Sequence, residues 1–267
     1  MRVNGESVYG TVRTDDIPIP NWGVITRKNN KIYLHVHRWN SDGELWVGGL
    51  KAKVKEAKIL TTGQKLSWSQ QGKNMRIEIP AACPDTCATV IALTLDSSGY
   101  QSYPQRLLES ETVNTLPAFD AVLSGKPFSK GDGKINNNYL YNWTDKAQTM
   151  TWNLSALKPV SFEMTIDYSL NNAGDEGTVI VEADGKAYEA SYGANFPSPL
   201  YVAQLTLNAG DHIIVLYGKN YYKGSQFMRP VNVVLTPVRE KNSLQVLFSQ
   251  SAGYCPTPSI QRFPDSY

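Results

Sequence analysis

A chain of 267 residues is longer than most single domains, so two domains are the expected organisation. Hydrophobic residues at 41% and charged residues at 19% are the composition of a folded globular protein and exclude disorder. A net charge of +2 gives no electrostatic case for nucleic acid or a membrane surface, and no run approaches the roughly 20 apolar residues of a membrane-spanning helix.

The opening residues, MRVNGESVYG, have no apolar core and do not read as a signal peptide. IYLHVHRW (32–39) is the first clear strand, rich in β-branched and aromatic residues and followed by the turn NSDG. Its alternation predicts Tyr33, His35, His37 and Trp39 on one face, either packed and hydrogen-bonded within the sandwich or set against a neighbouring domain or ligand. ELWVGGL, AKVKEAKIL, KLSWSQ, MRIEIP and ATVIALTLD follow at short spacing, separated by TTG, QQG and CPDTC. Regular strands with such turns predict a β-sandwich over residues 1–96.

Cys83 and Cys87, flanking the CPDTC turn, are candidates for one small loop-closing bridge or for two separate thiols. Three cysteines make no disulfide framework, and C-x-x-x-C without nearby partners is a poor zinc motif. Residues 97–114 show no period and several Ser, Gly and Pro, which predicts a linker.

A second series of alternating strands then runs through TMTWNLS, VSFEMTIDY, GTVIVEADG, KAYEASYG, YVAQLTLNAG, DHIIVLYGK and VNVVLTPV, predicting a second sandwich over 115–238. His212 follows a turn and is expected to be exposed, and Pro230 is expected at the start of its strand or at a bulge. Residues 239–267, polar and carrying three prolines, read as an extended tail. The fold class is therefore all-β, with two tandem β-sandwich domains.

Two segments of the second series have the character of a carbohydrate site. A pyranose offers a patch of C–H groups to an aromatic face, while its hydroxyls bond to amides and phenols at the rim. NNNYLYNW (136–143) supplies Tyr139, Tyr141 and Trp143, and YGKNYYKGSQF (217–227) supplies Asn220, Tyr221, Tyr222 and Gln226. YGANFPSP (192–199) is a third candidate wall. The competing reading packs Tyr141 and Trp143 inward as core.

The order of motifs carries a resemblance. VNGESVYGT (3–11), WGVITRKNNKIYLHVHRW (22–39), and then DGEL, KVKEAKIL, GQKL and IEIP together resemble the end of the catalytic barrel and the following sandwich of glycoside hydrolase family 29, the α-L-fucosidases. The second series, over 147–186, 207–219 and 231–238, is similar to carbohydrate-binding modules of families 6 and 35. The resemblance implies a bacterial parent enzyme that is periplasmic or secreted. It also implies a partner glycan containing fucose or galactose, and no cofactor beyond a structural calcium, for which NAGDEG (172–177) is the nearest acidic segment.

A retaining glycosidase needs two carboxyl groups held about 5 Å apart. In family 29 the nucleophile belongs to the barrel, and the resemblance here begins where that barrel ends. Glu6, Asp15, Asp16, Glu44 and Asp120 sit at turns and strand ends, where carboxylates ordinarily cap. The expectation is a non-catalytic accessory region that supports a barrel and binds glycan, with self-association through the face meant for the barrel. The alternatives are a fucosidase fragment active only when joined to its barrel, and a pair of spacer domains without a ligand.

Overall fold

The computed structural model describes residues 4–14, 16–85, 89–134, 137–196 and 198–238. Among these residues, helix is limited to the 3₁₀ turns Gly5–Ser7 and Ala118–Asp120, and the rest of the regular structure is strand. The chain divides into two compact units, with the boundary between Tyr103 and Pro104. The all-β class expected from the strand pattern is the class observed.

In the first unit, five antiparallel strands lie in the order Val12–Arg13, Gly23–Lys28, Lys31–Val36, Thr89–Leu95 and Val54–Ile59. A second sheet of Glu44–Val47, Asn74–Glu78 and Trp68–Gln71 completes the sandwich. The period of two turns Ile32, Leu34 and Val36 inward, where they share one core with Leu45, Val47 and Ile77. Trp22 and Trp39 close that core, their indole N–H groups donating to the backbone oxygens of Trp46 and Pro80, each at 2.8 Å.

Trp39 thereby departs from the face predicted for it. The strand stops at Val36, and the amides of His37 and Arg38 both donate to Trp22 O, at 2.8 and 3.0 Å. That doubling breaks the alternation and delivers Trp39 to the inner core, while Tyr33 packs with Val90 and Ala92 on the opposite face and His37 is exposed.

The segment 97–114, expected to be a linker, carries paired strands. Gln101–Ser102 pairs antiparallel with Leu50–Lys51, and Arg106–Leu108 runs parallel to Thr149–Ala156. Pairings of two or three residues are too short to print a period on the sequence.

In the second unit, one sheet orders Arg106–Leu108, Thr149–Ala156, Gly210–Lys223, Glu176–Ala183 and Lys186–Tyr192, with Val122–Ser124 also pairing to Thr149–Ala156. The facing sheet orders Asn114–Pro117, Arg229–Pro237, Val160–Ser169 and Leu200–Leu207. Alternate residues of both, among them Met150, Trp152, Phe162, Met164, Ile214 and Leu216, form a single core. Pro230 lies opposite Tyr168 where the register slips next to Asp167, a bulge that tolerates the missing amide. The tail expected over 239–267 lies outside the described residues.

Candidate functional site

One end of the second sandwich gathers the segments that the sequence singles out. Tyr139 and Tyr141 meet there edge to face, with ring centroids 6.1 Å apart. Tyr141 ends the short strand Leu140–Tyr141, and Asn142 then takes a positive φ of 63°, a left-handed conformation that Asn accepts more readily than most residues. The kink changes which side the next residue faces. Tyr141 stays in solvent at 38% exposure, whereas Trp143 is driven inward and is 0% exposed.

Trp143 is thus a core residue and no stacking platform. Its ring lies 5.0 Å from that of Phe227 and 6.2 Å from that of Phe128, and its carbonyl accepts the Phe227 amide at 2.8 Å. Burying an indole removes roughly 150–250 Å² from water, which is about 4–6 kcal/mol of hydrophobic stabilisation before entropy is counted. Part of that is given back, because the Trp143 indole N–H is buried with no hydrogen-bond partner among the described residues.

The long strand Gly210–Lys223 delivers the other half of the end. Its pairing with Glu176–Ala183 slips twice, between Glu176 and Gly177 and between Thr178 and Val179, so its last residues leave the regular alternation. Tyr221 turns its edge to Phe227 at 5.1 Å and remains 39% exposed, while Tyr222 stands 65% exposed with its hydroxyl 3.2 Å from Thr178 Oγ1. Gly218 makes the inner packing possible: a methyl group there would sit inside the Phe227 ring.

The expected amides are committed to neighbours. Gln226 Oε1 accepts the Asn142 amide at 3.0 Å and so joins the two segments, and Asn220 Oδ1 accepts from Lys146 Nζ at 2.8 Å. Both leave their side-chain N–H groups available to a ligand.

Arg229 and Asn171, absent from the sequence reading, complete the end together with Asp175 of the NAGDEG segment. Arg229 stacks its guanidinium 4.9 Å from the centroid of the Tyr139 ring and donates from Nε to Asn171 Oδ1 at 2.8 Å. Asn171 in turn donates to Phe227 O at 2.7 Å. Asp175, 3% exposed, folds back to accept the Asn172 amide at 3.0 Å, against the left-handed Gly224 at φ 98°. Pairing of sequence-distant turns is what a linear reading lacks, and Asn171 and Asp175 carry no local signature beyond that of a turn.

NAGDEG therefore closes a loop through Asp175, and among the described residues no group of three or more His, Cys, Asp or Glu side chains collects to hold a metal. In YGANFPSP, the backbone oxygens of Gly193 and Phe196 each accept from the Tyr168 hydroxyl at 3.4 Å, and Phe196 is exposed. Burial pushes the Tyr192 phenol well above its ordinary range, fixing it as neutral core.

The remaining candidates lie elsewhere. Cys83 directs its sulfur toward Asp85 O at 3.1 Å, and Cys87 lies outside the described residues. His212, expected in solvent, is 8% exposed, because it shares the inward phase of Ile214 and Leu216 on its strand. Glu6 pairs with Lys31 at 3.4 Å, and Glu44 pairs with Arg76 at 2.6 Å, whose hydrogen bond holds the Glu44 carboxyl below its usual range.

The described residues form two β-sandwich units, the second with exposed tyrosines at one end. The family follows for the first of them. Residues 19–96 match the model described as the alpha-L-fucosidase C-terminal domain, so the first sandwich is a C-terminal fucosidase region.

Among solved structures, the chain is similar to an alpha-L-fucosidase from Vibrio sp. strain EJY3, at 17% identity and a TM-score of 0.55 over 89% of this chain and 43% of that one. That likeness is one of fold, and the chain spans less than half of that fucosidase. A family 29 alpha-L-fucosidase from Bacteroides thetaiotaomicron is similar at 25% identity over 36% of this chain and 22% of its own, with a TM-score of 0.33. A family 35 carbohydrate-binding module from Clostridium thermocellum is similar at 14% identity over 46% of this chain and 98% of its own, with a TM-score of 0.37. No curated protein matches the chain.

Proposed function

We propose that this chain is the non-catalytic accessory portion of an α-L-fucosidase-like glycoside hydrolase, whose first sandwich supports a catalytic barrel and whose second binds glycan. The match of residues 19–96 to the fucosidase C-terminal domain is the observation that carries the accessory assignment. Val8, Tyr9, Val12 and Val24, all exposed near the start of the first sandwich, supply apolar surface of the kind a neighbouring domain covers. In the chain alone that surface drives self-association, and light scattering at increasing concentration reads it.

Glycan binding rests on the exposed rings at the end of the second sandwich. Tyr141, Tyr221 and Tyr222 stand in solvent beside uncommitted amide donors on Asn220 and Gln226, the combination of ring face and hydrogen-bond rim that a sugar uses. Fucose- or galactose-containing glycans, met in the periplasm or outside the cell, are the ligands we assign to it. Isothermal titration calorimetry against a panel of such glycans tests the reading. Binding that weakens in Tyr221→Ala or Tyr222→Ala is the expected outcome, and a panel without heat would leave the sandwich a spacer. Hydrolysis of an aryl α-L-fucoside by this chain above buffer, abolished by replacing one carboxylate, would refute the non-catalytic assignment.

A further inference from the structure

Arg229 opens the last strand of the second unit, directly across from Ser169, and its guanidinium is held from two sides. The Tyr139 ring lies against it, 4.9 Å from the guanidinium carbon to the ring centroid, and Nε donates to Asn171 Oδ1 at 2.8 Å. Asn171 is itself fixed by its bond to Phe227 O at 2.7 Å, and Tyr139 by its edge-to-face contact with Tyr141. A planar guanidinium held in this way keeps one edge free. Nη1 and Nη2 make no hydrogen bond or ion pair among the described residues, and neither is sealed from solvent.

The carboxylates on the segments that build this end are already taken. Asp167, on the strand beside Arg229, accepts from Asn232 Nδ2 at 2.9 Å. Glu176 pairs with Lys223 at 2.9 Å and Asp145 with Lys126 at 3.1 Å, while Asp175 is folded against the Asn172 amide. Lys146, like Arg229, meets only an amide oxygen, that of Asn220. The aromatic end thus carries two cations with no counter-ion among the described residues. A stacked, half-buried arginine has given up part of its hydration, and an anion at its Nη edge replaces what is lost with two parallel charge-assisted bonds.

We propose that Arg229 gives the aromatic end a subsite for a sulfate ester on its glycan. Two sulfate oxygens accept from Nη1 and Nη2, and the sugar ring lies against the exposed Tyr141. The assignment rests on the glycan reading of this end and narrows it to sulfated glycans. Its chemical class follows from the sugars in that reading. Fucose ends in a methyl group at C6, so a negative charge on fucose comes as an ester of a hydroxyl and not as a uronic carboxylate.

Calorimetric titration of the full chain with a sulfated α-L-fucan tetrasaccharide, and with the same tetrasaccharide after desulfation, tests it. The sulfated ligand is expected to bind with a dissociation constant on the order of 0.1 mM, and the desulfated one roughly tenfold more weakly. Raising salt from about 0.02 M to about 0.5 M should weaken the first and leave the second unchanged, a series that needs no variant. Arg229→Gln, which retains an N–H donor for Asn171, should erase the difference between the two ligands and leave desulfated binding as it is. Tyr222→Ala should weaken both.

Equal binding of the two tetrasaccharides, or a preference for the sulfated one that persists unaltered in Arg229→Gln, would overturn the sulfate subsite and leave the glycan reading standing. No heat with either would remove both. Trigalacturonic acid binding as tightly as the sulfated fucan would overturn it in favour of a carboxylate. Dextran sulfate binding as tightly would overturn it in favour of a general attraction for polyanions.

Discussion

In the first sandwich the charged and polar groups at the rim are tied to one another. Arg76 clasps Glu44 at 2.6 Å and Glu78 at 3.2 Å, Lys31 holds Glu6 at 3.4 Å, and the Tyr100 hydroxyl donates to Asp16 at 3.0 Å. The second sandwich carries ion pairs of the same kind, Lys223 with Glu176 at 2.9 Å and Lys126 with Asp145 at 3.1 Å among them, and adds links between turns. Gln226, Asn142, Asn171 and Arg229 are used to join turns, and the result is that Tyr141, Tyr221 and Tyr222 are held out in water on a braced end. Both units pair their rim charges, and what sets the second apart is the group of exposed tyrosines at one end. That difference supports the proposal of a supporting role for the first and of ligand contact for the second.

The largest effect that sharpens this contrast belongs to Trp143. If it is core, as its 0% exposure and its contact with Phe227 require, Trp143→Ala should destabilise the second unit by about 3–5 kcal/mol. Urea unfolding should then show an early transition for the second unit and an unshifted one for the first. Trp143→Phe should cost less, because it keeps a ring in place and removes the unpartnered indole N–H. A Trp143→Ala chain as stable as the parent but unable to bind glycan would return the residue to the site.

Next comes Gly218. Adding a methyl group inside the space of the Phe227 ring forces a shift of the bulged strand, at about 1–3 kcal/mol, and the shift reaches Tyr221 through the same ring. Gly218→Ala should therefore lower both the melting temperature and glycan affinity. Tyr222→Ala separates the two effects: affinity should fall by about 1–3 kcal/mol, by analogy with ring–base stacking, while stability stays within about 0.5 kcal/mol.

The smallest effect concerns the first unit. Burial holds the His35 imidazole below its ordinary 6.5, with the Ser7 backbone acting in the opposite direction. A depressed histidine stabilises the fold above its unfolded value, and that contribution is lost as pH falls through the folded one. The melting temperature of the first unit should therefore drop as pH falls below 6.5, and His35→Gln should flatten the slope. An identical pH profile in the variant would remove His35 from the account.

The fold class was legible because period-two patterning is long and clean in strands such as Val160–Ser169 and Thr149–Ala156. What escaped was local phase. Trp39 and His212 were each misplaced, the first by a doubled pairing to Trp22 O, and of the two readings open for Trp143 the core one holds, although the left-handed Asn142 separates it from the exposed Tyr141. For His212 the phase was present in DHIIVLYG and outweighed by the neighbouring turn. The tyrosine end was readable as composition, but its bracing through Arg229, Asn171 and Asp175 joins turns far apart in sequence.

Backbone amide NMR of the full chain, titrated with a fucosylated or galactosylated oligosaccharide, asks most directly whether the open end is where ligand goes. The account predicts shifts confined to 139–142 and 220–226, with the first sandwich silent. Saturating shifts centred on the first sandwich, or none anywhere, would contradict it.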